Sequence, residues 1–165
     1  MKRRVVRTLS LIVSMAGLLG AAHCRAQFAG PETNPASAYS IPASALMQPD
    51  ALVRILQAKT GEKPLILQVG SRLFFTEAHI PGAVFAGPGS QPAGQSLLQM
   101  KVAGLKRDKQ IVIYCGCCPW NRCPNLGPAY KLLRDMGFVN VKALYLANNF
   151  GDDWVNKGYA VEEGQ

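Results

Sequence analysis

Short apolar runs alternate with amphipathic stretches along the chain from about residue 41 onward. Four runs rich in β-branched and other apolar residues predict strands at residues 65–69, 83–86, 111–114 and 141–146. Helical spacing of apolar residues predicts helices at 49–61, 96–105, 128–136 and 152–156. Pro49 suits the start of the first helix, and Gly61 suits its end.

This alternation of strands and helices predicts an α/β fold. The strands are almost wholly apolar, which is typical of a mainly parallel sheet covered by helices on both faces. In such three-layer folds, ligands bind beyond the carboxyl ends of the strands. Cys115 directly follows the strand at 111–114, so we expect it to lie at that edge.

The first 26 residues predict a removable export signal. A basic start is followed by an apolar stretch at 9–22 and by Cys24-Arg25-Ala26, a plausible cleavage site before Gln27. The apolar stretch is shorter than the roughly 20 residues that a bilayer-spanning helix needs. We therefore expect an exported protein, periplasmic or secreted, with no stable membrane insertion after signal removal. Residues 27–40, rich in Pro, Ala, Ser, Thr and Asn, predict a flexible spacer.

The position of the charges argues against nucleic acid as a partner. The formal net charge is +8, from 18 basic and 10 acidic residues. Five of the basic residues and none of the acidic ones lie within residues 1–26, which leaves 13 basic against 10 acidic residues, or +3. Such a weak balance is not typical of a nucleic-acid-binding surface.

Four of the five cysteines lie within nine residues of sequence: Cys115, Cys117, Cys118 and Cys123. Cysteines so close together cannot join distant parts of a fold, so they indicate a site. Cys115 and Cys118 have the Cys-x-x-Cys spacing of a thiol–disulfide redox pair. Cu(I) bound by two of the thiolates, Zn²⁺ bound by all four, and a disulfide that holds the loop are the alternatives.

Three segments, in order, resemble the rhodanese-like (sulfurtransferase) domain family. Residues 64–87 contain Glu77-Ala78-His79-Ile80-Pro81-Gly82-Ala83, which is similar to the family's first signature. Residues 111–115 are a strand that runs into a cysteine, and residues 136–159 resemble the closing signature. The resemblance implies a rhodanese-like domain over residues 41–165.

The resemblance also implies a function. In this family a cysteine takes the outer sulfur of a small donor such as thiosulfate, holds it as a persulfide and passes it to a thiophilic or thiol acceptor, with no metal or cofactor. Strand register nominates Cys115 as that cysteine. Spacing nominates Cys117, because four residues separate it from Arg122, as in family loops. We follow the register, because loops accept insertions and strand ends do not.

Two further residues have alternative interpretations. Arg122 is a candidate to bind the donor's sulfonate, or else a solvated loop charge. His79, in the signature turn, is expected to bind local backbone rather than to act in catalysis. The chain departs from the family pattern at Gln68-Val69-Gly70, where Asp-x-Arg is usual, and in its longer cysteine loop.

Overall fold

Five parallel strands form the centre of the protein. The structure is a computed structural model and describes residues 41–164. The strands are β1 (Leu46–Met47), β2 (Leu65–Gln68), β3 (Val84–Phe85), β4 (Ile111–Tyr114) and β5 (Val141–Leu144). Their order in the sheet is β1-β5-β4-β2-β3, with every pair parallel. The predicted α/β class is confirmed.

Within residues 41–164, five helices and three short 3₁₀ turns accompany the strands. The helices are α1 (Pro49–Gln57), α2 (Arg72–Glu77), α3 (Pro92–Val102), α4 (Leu126–Asp135) and α5 (Phe150–Asp153). The 3₁₀ turns are Ala43–Ala45, Trp120–Arg122 and Val155–Lys157.

The sheet has an apolar core on each face, because successive side chains of a strand point to opposite sides. On one face, Val112 of β4 belongs to a buried cluster with residues of α1 and α5. On the other face, Ile113 belongs to a second cluster with residues of α3 and α4. Helices therefore cover both faces, as the apolar strands predict.

The predicted helix bounds were less accurate than the strand positions. α1 ends at Gln57 rather than near Gly61, because Ala58 is already extended and the Lys63 ammonium donates to the carbonyls of Ile55 and Ala58. α3 lies earlier than predicted, with Pro92 in its first turn. Proline is tolerated there, since the first N–H groups of a helix have no partner within it.

The predicted helices at 128–136 and 152–156 were also displaced. α4 already begins at Leu126 and carries Pro128 in its first turn. The last predicted helix is a single turn, α5, followed by a 3₁₀ turn that ends at Gly158 in the left-handed region. Strands β2, β3 and β5 are shorter than predicted, and the short elements β1 and α2 were not predicted.

The predicted export signal (1–26) and spacer (27–40) lie outside the described residues. Across residues 41–164, the helices are all too short or too polar to cross a bilayer.

Candidate active site

Cys115 emerges where β4 ends, between β2 and β5. The amide of Val69 donates to the carbonyl of Tyr114 at 2.8 Å, which continues the β2–β4 pairing up to the cysteine. The side-chain Nε2 of Gln68 then donates to the Cys115 carbonyl at 3.2 Å, and Gln68 Oε1 accepts from the Gly70 amide. The end of β2 thus fixes the backbone of Cys115.

Gly70 leaves the space that the Cys115 side chain occupies. A Cβ atom at Gly70 would lie 2.9 Å from the Cys115 carbonyl oxygen and 3.0 Å from its Sγ. Two atoms cannot approach so closely without a shift of backbone. The glycine where the family usually has Asp-x-Arg therefore has a steric role in this chain.

Three of the four loop thiols converge. Cys115 Sγ lies 3.1 Å from Cys117 Sγ, which lies 3.6 Å from Cys118 Sγ. All three sulfur atoms lie within 4.8 Å of one another, and all three cysteines are free thiols. We call Cys115, Cys117 and Cys118 the thiol trio. Cys123 is buried nearby but lies outside this group.

A tight turn at Gly116 brings Cys115 and Cys117 together. Gly116 has φ of +81°, a left-handed conformation that side-chain-bearing residues rarely adopt. Its carbonyl accepts from the Phe150 amide at 2.9 Å, and a Cβ atom at Gly116 would lie 2.9 Å from Phe150 Cβ. The start of α5 therefore packs directly on the turn between the two cysteines.

Asn125, at the start of α4, binds the buried cysteine. Its Nδ2 donates to Cys115 Sγ at 3.3 Å. Its Oδ1 accepts from both the amide and the hydroxyl of Ser90, at 3.2 and 2.8 Å. An amide N–H can only donate, so Ser90 fixes the orientation of the Asn125 side chain and points its NH₂ group at the sulfur.

The trio distributes its negative charge unevenly. Cys115 forms hydrogen bonds with three other thiols, those of Cys117, Cys118 and Cys123. These bonds, together with burial, raise the pKa of Cys115 well above its usual range. The hydrogen bond from Cys115 lowers the pKa of Cys117, and the same donor lowers the pKa of Cys118 to about 6. In the reduced loop, Cys118 is therefore the cysteine that ionises most readily, and Cys115 keeps its proton.

A cavity of about 350 Å³ opens beside Cys115 and Cys117. Phe150 of α5 and Phe74 and Glu77 of α2 contribute to its wall. Among the described residues that line it, Glu77 is the one charged side chain. The cavity admits a small molecule, and its single formal charge is negative.

A second cleft, of about 440 Å³, is also lined by Cys117. Its wall includes Arg72, Ser90 and Asn125. The Arg72 guanidinium lies over the Phe85 ring, 4.1 Å from the centroid. Cys117 and Phe74 line both the cavity and this cleft, so Cys117 is the described cysteine that borders both.

The structure brings together three of the four predicted site residues and separates the fourth. Cys115, Cys117 and Cys118 form the thiol trio, whereas Arg122 is exposed in a 3₁₀ turn. Arg122 is not among the residues that line the cavity or the cleft. Its placement agrees with the interpretation of Arg122 as a solvated loop charge.

His79 has the local structural role that the sequence predicts. Its Nδ1 donates to the Phe75 carbonyl at 2.8 Å, since a carbonyl can only accept. Its ring stacks on Phe75 at 4.0 Å. The imidazole does not line the cavity beside Cys115.

Sequence reasoning missed Asn125, Ser90 and Glu77 as site residues. Asn125 stands directly before a helix, where asparagine usually caps the helix with its side chain. No such cap bond forms here, and the side chain binds Cys115 instead. Nothing local in the sequence marks Ser90 or Glu77, because each reaches the site through the packing of α3 or α2.

A family model confirms the resemblance that the signatures carry. The model of the rhodanese-like domain matches residues 49–146, more than half of the chain. The chain belongs to the rhodanese-like domain family. The matched residues begin with α1, include the cysteine loop and contain all of β5.

Solved structures of rhodanese-like domains share the fold of this rhodanese-like protein. The domain of the Alr3790 protein from Anabaena sp. is 21% identical with a TM-score of 0.55, over 72% of this chain and 79% of that one. The BH2092 protein from Bacillus halodurans is 23% identical with a TM-score of 0.56, over 73% and 77%.

A third similar structure is part of a larger enzyme. The anaerobic ergothioneine biosynthesis enzyme from Chlorobium limicola, solved with trimethyl histidine, is 19% identical with a TM-score of 0.52. The alignment covers 71% of this chain and 27% of that enzyme. A search of curated proteins found no match. These identities establish the fold alone.

Proposed function

We propose that this protein is a sulfurtransferase that carries sulfur as a persulfide on Cys115. Family membership supports sulfur-transfer chemistry in general terms. The observation that carries the assignment to Cys115 is its position: it follows β4, borders the cavity, and accepts a hydrogen bond from Asn125. Asn125 Nδ2 would also stabilise the negative charge of a persulfide on the same sulfur.

Loading from thiosulfate would proceed by attack of the Cys115 thiolate on the outer sulfur of the donor. The Cys–S bond to that sulfur forms, the S–S bond of thiosulfate breaks, and sulfite leaves with the bonding pair. Because the pKa of Cys115 is raised, its proton must first pass to a neighbouring sulfur. Cys117 Sγ, 3.1 Å away, is the nearest described acceptor.

The experiment measures sulfite released by the purified, reduced protein after addition of thiosulfate. We expect one sulfite per protein chain and none from Cys115→Ser. Asn121→Ala is the control, since Asn121 is an exposed residue of the same loop. Full sulfite release by Cys115→Ser would move the nucleophile to Cys117. No release by the unmodified protein would remove thiosulfate as donor, and a parallel assay with glutathione persulfide would test a donor without a sulfonate.

We also propose that the protein works outside the cytoplasm. The support is the basic and apolar pattern of residues 1–26. The intact mass of protein isolated from its native host should then correspond to a chain that begins at Gln27. A mass that retains residues 1–26 would contradict export with cleavage.

A second candidate function is the binding of Cu(I). Three sulfur atoms within 4.8 Å of one another form a soft donor set, which Cu(I) prefers. The set does not fit a four-cysteine zinc site, because Cys123 lies outside it. Native mass spectra of reduced protein after addition of Cu(I) and desalting test this: one bound copper, lost in Cys118→Ser, supports the site, and metal-free protein contradicts it.

A further inference from the structure

The packing of Cys117 against Cys115 has a consequence for any sulfur held there. Cys115 is 2% exposed, so only a molecule small enough to enter the adjoining cavity reaches its sulfur, and a protein thiol does not. Cys117 Sγ is already 3.1 Å from Cys115 Sγ, about 1 Å beyond the length of a disulfide bond, roughly 2.05 Å. A reacting group held at such a distance acts at a very high effective concentration. The loop thus contains its own acceptor.

We propose that sulfur loaded on Cys115 leaves as hydrosulfide, displaced by the thiolate of Cys117, and that the loop closes into a Cys115–Cys117 disulfide. This inference rests on the proposed function and adds the fate of the persulfide to it. The Cys117–Cys115 sulfur bond forms, and the bond between Cys115 Sγ and the outer sulfur breaks. The proton that Cys117 took from Cys115 passes to the outer sulfur, which takes the bonding pair and leaves as HS⁻. It is reduced by two electrons, which the two cysteine sulfurs supply.

The geometry favours Cys117 over the other two thiols. Gly116, with its positive φ, turns the chain so that the side chains of Cys115 and Cys117 meet. Cys118 Sγ also lies within 4.8 Å of Cys115 Sγ, but the 3.1 Å contact makes Cys117 the nearest thiol to Cys115. Cys123 lies outside the trio. The resolving thiol is therefore Cys117.

The oxidised loop then requires an external dithiol to complete the cycle. Cys117 also lines the cleft that contains Arg72 and Ser90, whose lining does not include Cys115. A dithiol that enters this cleft reaches the Cys117 sulfur of the disulfide. Its first thiolate forms a mixed disulfide there and frees Cys115, and its second thiolate frees Cys117. The net reaction converts a sulfane sulfur and a dithiol into hydrosulfide and a disulfide.

The test adds thiosulfate to reduced, acceptor-free protein under anaerobic conditions and follows sulfite, hydrosulfide and intact mass together. The unmodified protein should release one sulfite and one hydrosulfide per chain and end two hydrogens lighter. Digestion without reduction should recover Cys115 joined to Cys117. Dithiothreitol should restore the starting mass and allow a second round.

Variants assign the role of Cys117. Cys117→Ala and Cys117→Ser should release sulfite more slowly, because the Cys115 proton must then pass to Cys118, but they should retain one added sulfur. Release of hydrosulfide from the loaded variants should be slower than from the unmodified protein by about tenfold or more. Asn121→Ala should behave like the unmodified protein, since Asn121 is an exposed residue of the same loop. Two substitutions at position 117 and a thermal melt of each separate a chemical effect from a folding defect.

Two results would overturn the inference. One is sulfite release by the unmodified protein with a stable added sulfur and no hydrosulfide, which leaves the proposed sulfur transfer intact. The other is hydrosulfide release by both Cys117 variants at the unmodified rate, or a recovered disulfide that excludes Cys117. Absence of sulfite from every variant and from the unmodified protein would remove the proposed thiosulfate reaction and this inference together.

Discussion

Asn125 Nδ2 and Cys115 Sγ lie 3.3 Å apart, and Ser90 holds the asparagine in this orientation. Among the described residues, the neutral side-chain amide of Asn125 is the hydrogen-bond donor that reaches this buried sulfur from outside the cysteine loop. Charge-assisted bonds to an anion are stronger than neutral ones. The contact therefore stabilises the thiolate and the persulfide of Cys115 more than its thiol.

Asn125→Ala should slow sulfite release from thiosulfate by about tenfold, because a hydrogen bond to a charged group contributes roughly 1.5–3 kcal/mol. Stopped-flow measurement of sulfite release checks this value. Asn121→Ala is the matched control, since Asn121 is an exposed asparagine in the same loop. Equal rates for the two variants would contradict a role of Asn125 in the reaction.

Gly70→Ala should both destabilise the protein and impair loading. The new Cβ meets backbone and sulfur of Cys115 at about 3 Å, so the cysteine must move. Overpacking of this kind costs about 1–3 kcal/mol in the free energy of unfolding. Urea unfolding and sulfite release measure the two effects.

Gly61→Ala separates the two effects. Gly61 has φ of +96° with open space around its Cβ position, so its substitution strains the backbone far from the thiol trio. It should lower the free energy of unfolding and leave sulfite release unchanged. Loss of loading in both variants to the same extent would attribute the effect of Gly70→Ala to stability alone.

The thiols should react with iodoacetamide in a defined order. The thiolate is the reactive form, and the pKa of Cys118 is lowered to about 6, compared with about 8.5 for a free cysteine. The alkylation rate of Cys118 should therefore rise between about pH 5 and 7 and then level off. Peptide mapping after brief alkylation at pH 7 should find Cys118 labelled before Cys115.

The control for this order is Cys115→Ala. The hydrogen bond from Cys115 is the main cause of the lowered pKa of Cys118, so its removal should shift the alkylation profile of Cys118 to higher pH. An unchanged profile would show that Cys115 does not stabilise the Cys118 thiolate.

Glu77→Gln should accelerate loading from thiosulfate. Glu77 is the one charged side chain among the described residues that line the cavity, and its carboxylate repels a dianionic donor. We expect sulfite release to rise about two- to threefold at low ionic strength and the difference to shrink in high salt. Glu163→Gln makes the same charge change at an exposed residue that does not line this cavity.

Arg122→Ala removes a positive charge from the cysteine loop, whereas Glu77→Gln removes a negative charge from the cavity. Because Arg122 lines neither the cavity nor the cleft, its loss should alter sulfite release by less than about twofold. A large rise in the thiosulfate concentration needed for half-maximal rate would return the sulfonate-binding role to Arg122.

The central strands could be predicted from sequence because their burial leaves a clear pattern. Every residue of β4 is buried, and its run of apolar residues predicted its bounds correctly. Helix ends were harder, because they depend on contacts from other segments, such as the Lys63 ammonium at the end of α1. The six-residue α2 is too short to show helical periodicity.

The site could be predicted only in part. The placement of Cys115 at a strand end follows from local pattern, and the structure bears it out. The contact between Asn125 and Cys115 depends on the path of the intervening loop, and the position of Glu77 depends on how α2 packs. No spacing rule contains that information. For the same reason, the four residues between Cys117 and Arg122 did not indicate that Arg122 lies outside the lining of the cavity.

The contact between Gly116 and Phe150 connects the cysteine loop to the surroundings of a tryptophan. The chain has two tryptophans. Trp120 lies within the cysteine loop, and the ring of Trp154 stacks 6.0 Å from that of Phe150, which packs on the Gly116 turn. We therefore expect oxidation of the loop to change the surroundings of both indoles, so that intrinsic fluorescence should follow the state of the thiols without a label.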